Sequence, residues 1–250
     1  MPDKKELSSQ SETPESANSL VNETPEIGKG ESITITSDVV LPDYEPLDLP
    51  YSEWEAQRSQ ELLTANGFGN TPDEWRRAAE HSDGLIRGMA YYLLARQPDP
   101  FDEALFRQGL EDSDQTVQSL VAYALYRLGD ASAELTLHRI AQLEVNAHLA
   151  APLAASLLAE LGEPSAFDTI EQAMASEQGY IRLTAIQYVP SFVPLHGQGY
   201  GSGQTIDIWA LYCQALEDED LQVQAVAEMQ LQELSSPEAL RVLEDCSNGP

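Results

Sequence analysis

Apolar residues recur with a helical period from about residue 51 to the end of the chain. The clearest stripe starts at Val117 and continues at offsets 3, 4, 7, 8 and 11 through Leu128. This spacing is typical of a helix that packs on one side. A second stripe of the same kind starts at Val223. The pattern therefore predicts an all-α structure.

These helices belong to a repeated unit. Residues 110–118 read LEDSDQTVQ and residues 216–224 read LEDEDLQVQ, and weaker copies are AEHSDGLIR at 79–87 and MASEQGYIR at 174–182. One apolar anchor position in each copy is separated from the next by 31, 32, 32 and 42 residues; the anchors are Ile86, Val117, Leu149, Ile181 and Val223. The longer last interval contains a Gly-rich insertion at about 194–203, which we expect to be a solvated loop.

Each copy carries the signals of a helix start. Asp83, Asp114 and Asp220 stand three residues before their anchors, where their carboxylates can accept from unpaired backbone amides; Asn146 and Gln178 hold the same position in the other copies. Five helical hairpins follow, and their first helices are predicted at 71–80, 101–111, 131–144, 164–176 and 204–217. Helices at 51–65 and 237–245 are predicted to cover the two ends, and Gly129 and Gly162 are predicted left-handed helix ends.

The chain divides into two regions of different composition. Residues 1–47 are rich in Ser, Glu, Pro, Thr and Asn, and are predicted to be a disordered acidic tail. Residues 48–250 are predicted to form the repeat domain. Within the tail, residues 32–41 read SITITSDVVL and are β-branched. This stretch is an edge strand, a short docking peptide or an apolar piece of linker.

The frame of Asp, two variable residues, Val or Ile, and then Arg or Gln resembles HEAT-like repeats of the short bacterial, or phycobilisome-lyase, type. The resemblance implies a right-handed α-solenoid of about five helical hairpins. It also implies a ladder in which the Arg reaches an acidic group of a neighbouring repeat. Only Arg87 and Arg182 hold this position, with Gln118 and Gln224 in two other copies. The family contains bilin lyase subunits, hydroxylases, DNA glycosylases, toxin-immunity proteins and scaffolds, so the resemblance alone does not select a function.

The charge of the chain is strongly negative. Its 42 acidic residues against 13 basic ones give a net charge of −29, which repels nucleic acids and anionic membranes and attracts basic surfaces. Neither a nucleic-acid nor a membrane partner is therefore expected. Acidity of this kind is also found where it serves solubility alone. Residues 1–10 are polar and lack a secretory signal, so a cytoplasmic location is expected.

The sequence shows no constellation that requires chemistry. Cys213 and Cys246 lack CxxC spacing, which predicts neither a disulfide nor a zinc site. The paired His-Glu motifs that mark the iron-binding hydroxylases of the resembled family are missing; the histidines are His81, His138, His148 and His196. We therefore expect no metal, no cofactor and no catalytic residues.

The second helices of stacked hairpins line the concave face of a solenoid, which is the usual binding surface. Offsets 2, 5, 6 and 9 from the anchors are predicted to face it. The candidate partner-binding residues at these offsets are Tyr91, Tyr92, Tyr123, Tyr126, Ile186, Gln187 and Glu228. Tyrosine rings among carboxylates suit a basic peptide or domain. The alternative is that some of these rings fill the packing between repeats.

Two functions follow from the sequence. The first is a non-catalytic scaffold or adaptor whose concave face binds a basic partner protein, including the special case of an immunity or inhibitor protein. The alternative is a subunit of a bilin lyase or related cofactor-attachment enzyme. That subunit would bind a tetrapyrrole and shift its absorbance.

Overall fold

A computed structural model describes residues 39–41, 51–201 and 203–246. These residues form twelve α-helices and one short antiparallel sheet. The helices are α1 (Tyr51–Ala65), α2 (Pro72–Ala78), α3 (Gly84–Arg96), α4 (Glu103–Gly109), α5 (Gln115–Arg127), α6 (Glu134–Ala141), α7 (Ala150–Glu160), α8 (Phe167–Met174), α9 (Gly179–Tyr188), α10 (Ile208–Leu216), α11 (Leu221–Leu234) and α12 (Pro237–Cys246). The prediction of a helical protein is confirmed, and the predicted tail lies almost entirely outside the described residues. No helix in the described ranges is long and apolar enough to cross a membrane.

Most helices lie close to their predicted positions. The first turns of three predicted helices are 3₁₀ turns, at Pro100–Asp102, Ala131–Ala133 and Pro164–Ala166, ahead of α4, α6 and α8. The helix predicted at 204–217 is wrong at its start. There Gln204–Thr205 (β2) pairs with Gly199–Tyr200 (β1), and α10 begins only at Ile208.

The insertion is anchored, although we expected a solvated loop. A 3₁₀ segment, Val189–Leu195, leads into the β1–β2 hairpin. Tyr200 of β1 is buried, and its ring lies 5.4 Å from that of Phe167 in an edge-on arrangement. Its hydroxyl donates to Glu171 Oε2 at 2.5 Å. One aromatic side chain within a Gly-rich stretch therefore fastens the hairpin to α8.

The helices pack in a regular order. α2 packs on α3, α4 on α5, α6 on α7, α8 on α9 and α10 on α11. The second members, α3, α5, α7, α9 and α11, also contact one another in sequence and are called the second-helix row. α1 packs on α3 at the front of this row and also contacts α11 at its rear. The row and α1 therefore surround a common space.

The repeat anchors form the core of this packing. Ile86, Val117, Ile181 and Val223 are all buried. Leu149 is the exception, because it is half-buried and stands at the N-cap of α7. The third copy therefore departs from the frame in structure as it does in sequence.

Three predicted N-caps are confirmed. The carboxylates of Asp83, Asp114 and Asp220 accept from the backbone N–H two residues on, at 2.8 to 2.9 Å. Neither remaining candidate caps a helix: Gln178 makes no side-chain cap bond, and Asn146 instead accepts a hydrogen bond from Ser176 Oγ at 2.6 Å. This bond links the third copy to the fourth. Gly129 and Gly162 have φ values of +103° and +89°, as the predicted left-handed helix ends require.

Both ladder arginines cross to the next repeat. The guanidinium of Arg182 donates to both carboxylate oxygens of Asp218, at 2.7 and 2.8 Å, and to the carbonyl of Ser176 at 2.9 Å. Arg87 binds Asp112 in the same way, at 2.7 and 2.8 Å. The hydrogen bonds from Arg182 lower the pKa of Asp218. Asp112 also accepts a hydrogen bond from the backbone N–H of Asp114, the N-cap of α5. Asp218 accepts one in the same way from Asp220, the N-cap of α11. Each arginine thus holds the turn that starts the following helix.

A glycine opens the helix that carries each ladder arginine. An added Cβ at Gly179 would lie 2.6 Å from Asp220 Oδ2, and one at Gly84 would lie 3.0 Å from Asp114 Oδ2. In both places the helix start approaches the N-cap carboxylate of the next repeat. The close approach, and not backbone conformation, calls for glycine here.

The prediction that the cysteines do not pair is wrong. Cys213 of α10 and Cys246 of α12 form a disulfide, with Cα atoms 5.4 Å apart. This separation lies within the usual range for a disulfide. The pairing depends on α12 folding back onto α10, which residue spacing does not reveal.

We expect Gly179→Ala to destabilise the protein by about 1–3 kcal/mol, because the new methyl group would overlap the Asp220 carboxylate. Gly88→Ala in α3 is the matched control, since an added Cβ there meets nothing within 4 Å. Alanine should raise stability at that helical position by about 0.5–1 kcal/mol. Urea denaturation followed by circular dichroism measures both changes. Equal effects of the two substitutions would contradict the close approach.

Candidate functional site

A cavity of about 700 Å³ opens between α1 and the second-helix row. Its walls come from α1, α3, α5, α7, α9, α11 and the 3₁₀ segment after α9. Helices from the beginning, middle and end of the folded region therefore meet at one site. Its volume is within the range of ordinary ligand pockets.

Two tyrosine–arginine pairs line one side of the cavity. Tyr92 and Tyr123 each stand six residues after their anchors and are followed four residues later by Arg96 and Arg127. The guanidinium carbon lies 5.8 Å from the ring centre in the first pair and 5.6 Å in the second. Residues four apart share a helix face, so each arginine stacks on its own tyrosine. Arg127 also donates to the carbonyl of Arg96 at 3.1 Å, which joins α5 to the end of α3.

Carboxylates come from other walls of the cavity. Glu55 lies on α1, Glu160 on α7 and Glu233 on α11. The Tyr123 hydroxyl donates to Glu160 Oε2, and Tyr92 shares a hydrogen bond with Glu55. Three carboxylates and two guanidiniums therefore line the cavity, and the tyrosine hydroxyls hold two of the carboxylates in place.

Burial shifts the pKa values of these groups. Loss of solvation raises the pKa of Glu55, although the Tyr92 hydrogen bond and the Arg96 charge oppose the rise. Burial, followed by the neighbouring Glu160, raises the pKa of Tyr123 to about 12. The pKa of Tyr188 is also raised, first by burial and then by Glu55. The tyrosines are therefore neutral hydrogen-bonding groups at physiological pH.

The remaining walls are apolar or uncharged. Leu120, Leu153 and Leu157 supply apolar surface. Gln230 of α11 is buried; its amide accepts from Tyr212 at 3.1 Å and donates to the main-chain carbonyl of Gln187 at 3.3 Å. The cavity thus combines apolar surface, rings, amides and charges of both signs.

The structure places three of the seven predicted binding residues in the cavity. Tyr92, Tyr123 and Gln187 line it. Tyr126 is half-buried and Glu228 is exposed, and neither lines the cavity.

Tyr91 and Ile186 do not face outward as we predicted. Both are buried, with 3% and 0% of their surface exposed. The ring of Tyr91 lies 6.4 Å from that of Phe106, and its hydroxyl donates to the Leu105 carbonyl at 3.4 Å. Tyr91 therefore packs against α4, the first helix of the next hairpin, as the alternative of packing between repeats proposed, whereas offset 6 faces the cavity.

Several cavity residues escaped the sequence analysis. A signal was present for the arginines, because YLLAR at 92–96 and YALYR at 123–127 repeat the same Tyr-to-Arg spacing at the same offset. Glu55, Glu160 and Tyr188 carry no comparable signal. Glu55 belongs to the site only because α1 contacts both ends of the second-helix row.

Among the described residues, no three His, Cys, Asp or Glu side chains are grouped so that they could hold a metal ion. The cavity presents hydrogen-bond donors and acceptors, aromatic rings and charges of both signs.

Comparison with known proteins does not assign the chain to a family: no family model matches it, and no curated protein does either. A function has to be inferred from the cavity and the charge of the chain.

We expect Glu55→Gln to stabilise the protein at pH 7. A carboxyl whose pKa is raised by folding favours the folded state when protonated, and this contribution is lost as the pH rises through the folded pKa, above the ordinary value of 4.5. Glutamine stays neutral and can still accept from Tyr92. The melting temperature of the variant should exceed that of the wild type at pH 7, and the difference should shrink towards pH 4.

Glu53→Gln is the control for this experiment, because Glu53 is exposed on the same helix. Its melting curve should follow that of the wild type. A difference between Glu55→Gln and the wild type that does not depend on pH would contradict the desolvation of Glu55.

Proposed function

We propose that the chain is a HEAT-like repeat array, a right-handed α-solenoid of five helical hairpins with α1 and α12 at its ends. The regular pairing of α2–α11, the contacts along the second-helix row and the recurring Asp caps support this proposal. The guanidinium ladder supports it further, because Arg87 and Arg182 make the same contacts one repeat ahead.

We further propose that this array is a non-catalytic scaffold or adaptor that binds a segment of a partner protein. The observation that carries the proposal is the cavity, whose walls are drawn from six helices and present tyrosines, carboxylates and apolar surface together. Rigid aromatic side chains with a polar tip are common anchors in protein interfaces. Glu55 supports the same function, because a carboxylate kept in a desolvating position is typical of a site under functional demand.

The charge of the chain favours a basic partner. Residues 51–250 hold 31 acidic residues and 10 arginines, and no lysine. Ion pairs with carboxylates of the chain itself hold several of these arginines, including Arg58, Arg76, Arg77, Arg87, Arg107 and Arg182. The large carboxylate excess gives a negative field that attracts cationic proteins and speeds their association. An immunity or inhibitor protein that masks a cationic toxin surface is one form of this function.

We expect Tyr92→Ala with Tyr123→Ala to abolish partner binding, because the double change removes both rings from the cavity. Affinity capture with the intact chain, followed by titration calorimetry with the purified partner, measures the loss. At least about 2 kcal/mol of binding free energy should disappear if the rings are interface anchors. Binding by the wild type should weaken as salt increases.

Tyr126→Ala is the matched control, since Tyr126 is on the same helix as Tyr123 but outside the cavity. It should leave binding unchanged. Circular dichroism of each variant separates lost binding from lost folding. Equal loss in Tyr126→Ala and in the double variant, or a partner that binds equally well at high salt, would count against the proposal.

A further inference from the structure

The Glu55 carboxylate lies among aromatic and charged groups from two other parts of the fold. Tyr92 of α3 shares a hydrogen bond with it, and the charge of Arg96 acts on it from the end of the same helix. Tyr188, the last residue of α9, also lies near Glu55 and Tyr92. All four residues line the cavity and are called the Glu55 corner.

The groups of the chain itself do not fully compensate the Glu55 carboxylate. The Tyr92 hydrogen bond and the Arg96 charge both lower its pKa, but the loss of solvation outweighs them and the pKa is raised. Arg96 lies against Tyr92, with its guanidinium carbon 5.8 Å from the ring centre and a hydrogen bond to the hydroxyl at 3.2 Å. An ionised carboxylate in such a position is stabilised by a further cation beside it.

The cavity as a whole has an excess of negative charge. Its walls carry three carboxylates, on Glu55, Glu160 and Glu233, and two guanidiniums, on Arg96 and Arg127, which leaves one negative charge. A single cation that enters the cavity would make it neutral. The attraction is stronger there than at an open surface, because the partly buried walls exclude part of the water.

Tyr188 adds a free hydroxyl to the Glu55 corner. The residue is half-buried, and its hydroxyl makes no hydrogen bond to another described residue. Burial, followed by the charge of Glu55, raises its pKa, so the hydroxyl is neutral and can accept from a donor. An aromatic ring beside a carboxylate suits a planar cation, which can stack on the ring and donate to the oxygens around it.

We propose that the Glu55 corner binds an arginine side chain of the partner protein, whose guanidinium donates to the Glu55 carboxylate and the Tyr188 hydroxyl and stacks on the Tyr188 ring. This inference rests on the proposed function and names the group that enters the cavity. A guanidinium suits a desolvated site better than an ammonium, because it is more weakly hydrated in water. Its fork of donors also reaches two acceptors at once.

The test uses the full chain and N-acetyl-arginine methylamide, an arginine whose two ends are blocked, with binding followed by NMR. The wild type should bind this probe with a Kd of about 1 mM or below. Glu55→Gln should weaken binding at least about tenfold, because a charge-assisted hydrogen bond is lost, and Tyr188→Phe should weaken it about threefold. The Glu55→Gln chain should be at least as stable as the wild type at pH 7, so its weaker binding would not reflect unfolding.

Two kinds of control make the outcome specific. Glu53→Gln removes the same charge from an exposed position of α1 outside the cavity, and it should leave binding unchanged. Blocked citrulline, which has the shape of arginine without its charge, should not bind, and blocked lysine should bind at least about threefold more weakly than arginine. The proposal is overturned if blocked arginine does not bind the wild type at about 10 mM, if citrulline or lysine binds as tightly, or if Glu55→Gln binds as tightly as the wild type.

Affinity capture of the partner separates this inference from the function on which it rests. A partner that binds the wild type and Glu55→Gln equally well would overturn the arginine site and leave the scaffold function standing. Binding of blocked arginine, together with a partner whose capture does not depend on Tyr92 and Tyr123, would support the arginine site and count against the proposed function.

Discussion

The contact between a guanidinium and the carboxylate that opens the next repeat orders this structure. Arg182 and Asp218 are both almost fully buried, so their pairing must offset the loss of two hydration shells. It does so with two charge-assisted bonds in fork geometry, and with further bonds to a carbonyl and a backbone N–H. If α9 and α11 were displaced along each other, Arg182 and Asp218 would be buried without their partners. The ladder thus fixes how one repeat sits on the next, and the adjoining glycine lets the two turns come close enough.

The cavity depends on that register. Tyr92 and Tyr123 share an offset in consecutive repeats, so they fall side by side only if α3 and α5 are aligned by Arg87 and Asp112. The middle of the second-helix row uses weaker polar links. Arg139 donates to Gln118 at 2.5 Å, and Ser176 donates to Asn146 at 2.6 Å. Ion pairs therefore link the first copy to the second and the fourth to the fifth. Hydrogen bonds with at most one charged partner link the second copy to the third and the third to the fourth.

Local and periodic features were predictable from sequence, and features that depend on tertiary closure were not. The helices, three Asp caps and the left-handed glycines follow from spacing and from backbone hydrogen-bond requirements. The β1–β2 hairpin was not predictable, because the glycines between 197 and 203 indicated a solvated loop. Nothing in that composition showed that Tyr200 is buried against α8. The disulfide and Glu55 depend on how α12 and α1 fold back on the rest. Of the positions predicted to face outward, Tyr92 lines the cavity, whereas the adjacent Tyr91 is buried. Adjacent residues of a helix point in different directions, and the pattern of a single helix does not show which neighbouring helix covers each side.

The contact between α1 and α11 changes how the helices can separate during unfolding. In an open row each hairpin meets only its neighbours, so the ends fray independently and the middle survives their loss. Here the first helix is also a neighbour of the eleventh, and both form walls of the same cavity. Detachment of α1 or of α11 would therefore open the cavity. A molecule bound in the cavity would therefore stabilise α1 and α11 together. We expect these two helices to unfold cooperatively and not one hairpin at a time.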